Sequence, residues 1–157
     1  NALNSMSELV YVDQQKAEQS ILNLSKFLRN AIKTDSLIDI KDELEMVNTY
    51  VDIENIRFDN KIKLHISNEH INKNQIPKFS IQLLVENAIK HGYENKELNI
   101  YIEIKNDIIV YNDGIFIENL KFGTGLSNLN NRLNLLNIGN LKFINDEKKM
   151  KFIIKVN

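Results

Sequence analysis

The chain has 157 residues, 20 basic against 21 acidic, with one proline, five glycines and no cysteine. Composition therefore excludes a disulfide scaffold, a thiolate zinc site and a cysteine nucleophile, and a formal charge of −1 leaves no electrostatic footprint for nucleic acid. No apolar run approaches the roughly 18 residues of a membrane span, and a chain that is 43% hydrophobic and 26% charged is expected to form one ordinary domain, or one with an appendage.

Leu3, Met6 and Val10, then Ala17, Ile21, Leu24, Leu28 and Ala31, recur at helical spacing on either side of a break at residues 11–14. That pattern predicts two helices in a hairpin, each with a narrow apolar seam. Such a seam cannot be buried alone, so a second copy of the chain is expected to complete a four-helix bundle. After Thr34, Asp35 and Ser36 comes a short strand at 37–40. A helix follows to about Phe58, carrying Ile40, Leu44, Val47 and Val51 on one face and Asp42 and Glu43 at the positive end of its dipole. Ile62, Leu64 and Ile66 alternate with polar residues, which predicts a strand.

With Pro77 in its first turn, the next helix runs to about His91. Ile81, Leu84, Val85, Ala88 and Ile89 form its core stripe, and Asn87, Lys90, His91 and Glu94 fall on a neighbouring face. A Glu86–Lys90 ion pair is the plain alternative for this polar face. Strands at 99–105 and 108–111, turned at Asn106-Asp107, precede a glycine-punctuated loop. A helix at 124–137 and a hairpin of strands 141–144 and 151–156 complete an α+β layer of helices on one face of a mixed sheet.

Two features carry chemistry. A strand ends in Asn112-Asp113-Gly114, placing hydrogen-bonding side chains where a pocket edge can form. Gly123-Thr124-Gly125-Leu126 then opens a helix, so backbone N–H groups and the positive helix end converge where an anion can sit. Histidine offers no obvious metal cluster, because His65, His70 and His91 are scattered. Asn fills 24 positions and Lys 17 of the 20 basic ones, a bias that discounts any single Asn as a functional signal.

In order, these pieces resemble the ATP-binding domain of the GHKL superfamily of gyrases, chaperones and histidine kinases. LLVENAIKHG (83–92) is similar to its N box. NALNSMSEL, ILNLSKFLRNAI, IKDELEMVNTYVDIENIRF and GTGLSNLNNRL are similar to successive blocks of the LytS-type (His_kinase) sensor histidine kinases. The resemblance implies a GHKL (Bergerat) two-layer sandwich at 36–157 preceded by a partial dimerisation and phosphotransfer hairpin at 1–35. It implies ATP and Mg²⁺ as cofactors, with Asn87 holding the metal and Lys90 contacting phosphate as the catalytic pair. Glu86, His91, Asn112, Asp113, Gly114, Gly123, Thr124, Gly125, Leu126 and Asn128 would complete the ATP site.

The reaction implied is transfer of the γ-phosphoryl group to a histidine, and thence to an aspartate of a response regulator, of LytTR type in many relatives. The family's acceptor histidine precedes the first block, and none of the three histidines matches it, so this chain by itself is expected not to autophosphorylate. A homodimer, no direct nucleic acid, and the cytoplasmic side of a bacterial membrane protein anchored outside these residues are also implied. Two positions depart from the pattern. Asn112 stands where the family has the adenine-binding Asp, with Phe116 replacing a glycine, and Asp113 could take the role by a one-residue adjustment. Leu83 stands where gyrase-like enzymes carry a catalytic Glu, which disfavours hydrolysis and favours transfer to a side chain. The segment between Gly114 and Gly123 would be a short ATP lid. The alternative reading is a weakly nucleotide-binding dimerisation scaffold.

Overall fold

The computed structural model describes residues 2–32, 36–68, 75–115, 121–146 and 149–157. The expected hairpin is α1 (Ala2–Val12) and α2 (Gln14–Ile32). Asp13 makes the break between them: its carboxylate accepts the Lys16 N–H at 3.0 Å, which satisfies one of the donors left open at a helix start. Met6, Ala17 and Ser20 are buried where both helices pack on α3 (Ile40–Arg57).

A five-stranded sheet follows the order β2-β4-β5-β7-β6, formed by β2 (Ile62–Asn68), β4 (Leu98–Ile104), β5 (Ile108–Asn112), β7 (Lys149–Val156) and β6 (Gly139–Asp146). Only the β2–β4 pair is parallel, so the sheet is mixed, as the alternation of the sequence implied. Along β4 and β5 every second residue is buried, because one face is covered by α3, α4 (Ser80–Gly92) and α5 (Thr124–Leu135). The predicted stripe of α4 is the centre of that layer: Ile81, Leu84, Val85, Ala88 and Ile89 are each at most 4% exposed. A second small sheet pairs β1 (Leu37–Asp39) with β3 (Gln75–Pro77).

Two expectations are corrected here. Pro77 does not lie in the first turn of α4; it ends β3, where its missing N–H costs little, and the helix starts at Ser80 after a sharp bend. That bend puts Phe79 at φ 66°, a conformation uncommon for an aromatic residue. Glu43, assigned from sequence to the first-turn dipole of α3, points inward instead and is fully buried. Its Oε2 accepts the Phe79 N–H at 2.9 Å and its Oε1 the N–H groups of Ile81 and Gln82 at 3.0 and 3.1 Å. A side chain from α3 thus caps α4, and burial holds its carboxyl above the ordinary value of 4.5 despite those bonds.

Candidate functional site

α4 and α5 meet the sheet around a cavity of about 520 Å³. From α4 it receives Leu83, Glu86, Asn87, Ala88, Lys90 and His91, and from the start of α5 Gly123, Thr124, Gly125 and Leu126. Met150 and Phe152 of β7 supply an apolar wall, and Lys121 a cation that sequence reasoning did not single out. Eight of the twelve expected site residues are thereby brought together. His70 and Phe116 lie outside the described residues.

Each wall has a local cause. α5 is N-capped by Gly123 with no side-chain cap bond, so its first N–H groups have no partner inside the helix and belong to residues that line the cavity. A Cβ built on Gly123 would meet nothing within 4 Å, and one on Gly125 only the two Leu83 methyls at 3.4 and 3.9 Å, so there is room for a ligand against that backbone. Asn87 is half-buried, and its Nδ2 donates to the Leu83 carbonyl one turn earlier at 2.7 Å. That bond fixes the amide orientation and leaves Oδ1, a hard oxygen, without a partner among the described residues. Lys90 and Lys121 add positive charge around it, and His91 a further polar group. Glu86 and Lys90 do not form the ion pair expected from their spacing among the described residues, so Lys90 is not tied down by its own helix. Glu94 falls beyond the end of α4 and does not continue the polar face.

Asn112, Asp113 and Gly114 do not line the cavity but adjoin it. Extending the register in which Val110 opposes Phe152 and Tyr111 opposes Lys151 brings Asn112 opposite Met150, a cavity residue. Asn112 is 5% exposed, and its Oδ1 accepts the Gly114 N–H at 2.9 Å. Gly92 and Gly114 permit this approach of α4 to the strand end: a Cβ on Gly92 would stand 2.7 Å from Asn112 Oδ1, and one on Gly114 2.1 Å from the Gly92 carbonyl oxygen. Asp113, the residue after the strand end, turns to the other face. Its two carboxylate oxygens accept the Asn99 N–H and Nδ2, both at 2.8 Å, and Asn99 Oδ1 is in turn 2.9 Å from His65 Nε2. Asp113 is therefore committed to the outer face of the sheet. Asn128 is exposed and outside the cavity lining.

Arg132 is also placed away from the cavity. Its Nη2 donates to the Lys78 carbonyl, beside a second cavity of about 460 Å³ bounded by Ala31, Ser36, Lys78, Phe79 and the end of α5. There Lys78 Nζ donates to the Asn30 and Ala31 carbonyls at the C-terminus of α2, so the polar groups of that cavity are engaged in holding helices together. Arg57 pairs with Glu54 at 3.0 Å and lies over Phe58, a role local to α3. Phe122 packs on the core. Among the described residues, no group of three or more His, Asp or Glu could hold a metal ion, and no helix is long and apolar enough to cross a membrane.

Comparison with known proteins agrees with this architecture. Residues 1–62 match the family model described as histidine kinase. Sensor protein LytS of Streptococcus agalactiae is 31% identical over 96% of the chain, and sensor protein kinase HptS of Staphylococcus aureus is 33% identical over 83%. The chain spans 30% and 27% of the lengths of these relatives. The catalytic domain of the histidine kinase ThkA superposes on 76% of the chain and 94% of its own length, with a TM-score of 0.56 at 18% identity. ThkA solved in complex with the response regulator TrrA covers 99% of the chain and 57% of its own length, with a TM-score of 0.54 at 12% identity. By sequence the chain is a homologue of the LytS-type sensor histidine kinases, and by fold it carries the catalytic-domain architecture of that class.

Proposed function

We propose that the cavity between α4 and α5 binds the Mg²⁺ form of a purine nucleoside triphosphate, ATP by analogy with the family, and that the parent protein transfers its γ-phosphoryl group to a histidine and then to a response-regulator aspartate. The single observation that carries this reading is the convergence of the uncapped α5 N-terminus, Lys90, Lys121 and the free Oδ1 of Asn87 on one cavity. Triphosphate oxygens would meet the N–H groups of Thr124 and Gly125 and the two lysines. A helix N-terminus contributes about 0.3–1 kcal/mol to such an anion, and more where water is excluded.

The donor set also fits Mg²⁺. This ion takes one or two protein oxygens when phosphates and water supply the rest, and Asn87 offers one such oxygen on a side chain held by its own helix. When bound, Mg²⁺ would neutralise charge on the β- and γ-phosphates. In the transfer, the bond from γ-phosphorus to its bridging oxygen breaks, a bond to an imidazole nitrogen forms, and the nucleoside diphosphate leaves. None of His65, His70 and His91 matches the acceptor motif of the family, and Leu83 offers no carboxylate at the position where gyrase-like enzymes carry the Glu that activates water.

Domain roles follow the same reading: residues 36–157 hold the nucleotide and 1–35 form part of a dimerisation hairpin. Leu3, Val10, Ile21 and Leu28 are 42–66% exposed, an apolar seam suited to a second copy of the chain. The response-regulator partner and attachment to the cytoplasmic face of a bacterial membrane belong to the parent protein. A second reading, a weakly binding dimerisation scaffold, is favoured by one observation: the Asn112 oxygen already accepts the Gly114 N–H.

Calorimetric titration with ATP and Mg²⁺ tests the proposal. Saturable binding that falls on the order of a hundredfold in Asn87→Ala is expected, and no heat at millimolar nucleotide would overturn it. Uptake of label from γ-labelled nucleotide by the parent protein separates the kinase from the scaffold.

A further inference from the structure

We infer that Asn112 sets the base preference of the site toward a 6-oxopurine, guanine or hypoxanthine, and away from adenine. This rests on the nucleotide reading above. Asn112 lies against Gly92, five residues along α4 from Asn87 and so about 7.5 Å along the helix axis. That is a spacing suited to a base when the phosphates lie at Asn87 and the α5 N-terminus.

The polarity of its amide is fixed from within the protein. The Gly114 N–H can only donate, so the atom it meets at 2.9 Å is Oδ1, and the other end of the amide is the donor Nδ2. Among the described residues Nδ2 has no hydrogen-bond partner. The only fully buried side-chain nitrogen or oxygen without a partner there is Gln82 Oε1, so Nδ2 is not fully buried. It is thus an unpartnered donor on a side chain 95% removed from solvent.

An Asp at this position would keep both functions, one oxygen accepting the Gly114 N–H and the other accepting the amino group at C6 of adenine. Asn keeps the first and inverts the second. Its outward N–H group faces adenine's C6 amino donor as like to like, whereas guanine and hypoxanthine present an acceptor oxygen at C6. Turning the amide over would restore an acceptor for adenine but strand the Gly114 N–H, so it exchanges one mismatch for another. Asp113 cannot substitute, because both of its oxygens are held by Asn99 on the opposite face.

Titration of the 157-residue chain with ATP, ITP and GTP, each with Mg²⁺, decides the matter. ATP and ITP differ only in the C6 substituent and the N1 protonation that accompanies it. ITP and GTP are expected to bind about tenfold or more tighter than ATP, and Asn112→Asp, with unchanged thermal unfolding, to reverse that order. ATP binding as tightly as ITP to the unaltered chain would overturn the inference, and this comparison needs no variant. A folded Asn112→Asp protein with the order unchanged would also overturn it. Binding of none of the three would instead overturn the nucleotide reading, and this inference with it.

Discussion

Glu43 illustrates how one side chain positions the site from a distance. Three N–H groups at the head of α4 have it as their acceptor, and α4 carries Asn87. Glu43→Ala leaves those donors buried and unpaired, so a loss of about 3 kcal/mol is expected in urea unfolding. Its carboxyl is raised above 4.5 by burial, which gives the pH dependence a definite sign. Between 4.5 and the raised folded value, the unfolded chain binds fewer protons than the folded one, so stability falls as pH rises through that window. Below 4.5 the contribution is complete. The gap in urea midpoint between the protein and Glu43→Gln is therefore expected to shrink, from the side of the native protein, as pH rises through the window; a gap independent of pH would refute the assignment.

Residue chemistry also explains why parts of the site were hard to read. Discounting Asn as compositional bias hid several that act: Asn55 brackets Ile62 with two hydrogen bonds of 2.9 Å, Asn99 engages both oxygens of Asp113, and Asn60, Asn95 and Asn137 occupy left-handed turn positions that their short polar side chains tolerate. Asn87 and the α5 head were legible because a helical face and a Gly-x-Gly turn are local patterns. Lys121 and the inward turn of Glu43 were not, since each is defined by an element remote in sequence.

Among the elements, α4 and α5 were predicted almost to their ends because periodicities of 3.6 and 2 report burial directly. The strand β3 was missed: three residues with a proline carry no period, and only pairing with β1 makes them a strand. The glycines divide by element. At Gly114 a Cβ would stand 2.1 Å from the backbone of α4, while at Gly123 it would enter open space. Gly114→Ala is accordingly expected to destabilise by about 3 kcal/mol or prevent folding. Gly123→Ala should change stability by no more than about 1 kcal/mol while weakening nucleotide binding, because its methyl group occupies the approach to the α5 N–H groups. Thermal unfolding and calorimetry on both variants check this separation; equal effects of Gly123→Ala and Gly114→Ala on stability would contradict it.

At the scale of the whole molecule, the hairpin is joined to the sheet domain by buried contacts on α3 and by Lys78, which donates to carbonyls at the end of α2, yet it keeps an exposed apolar seam. Sedimentation equilibrium is expected to show a dimer, and Ile21→Glu with Leu28→Glu to give a folded monomer; a monomeric unaltered chain would remove the dimer from the account. The two cavities make opposite claims on function. One gathers uncapped N–H groups, lysines and a free amide oxygen, while the other is built from groups already holding helices together. The most direct test is therefore where the nucleotide lands. In backbone and side-chain amide NMR spectra titrated with ATP and Mg²⁺, the largest shifts are expected at Gly123, Thr124, Gly125 and the Asn87 side chain; absence of shifts, or shifts centred on Lys78, Phe79 and Arg132, would contradict the account.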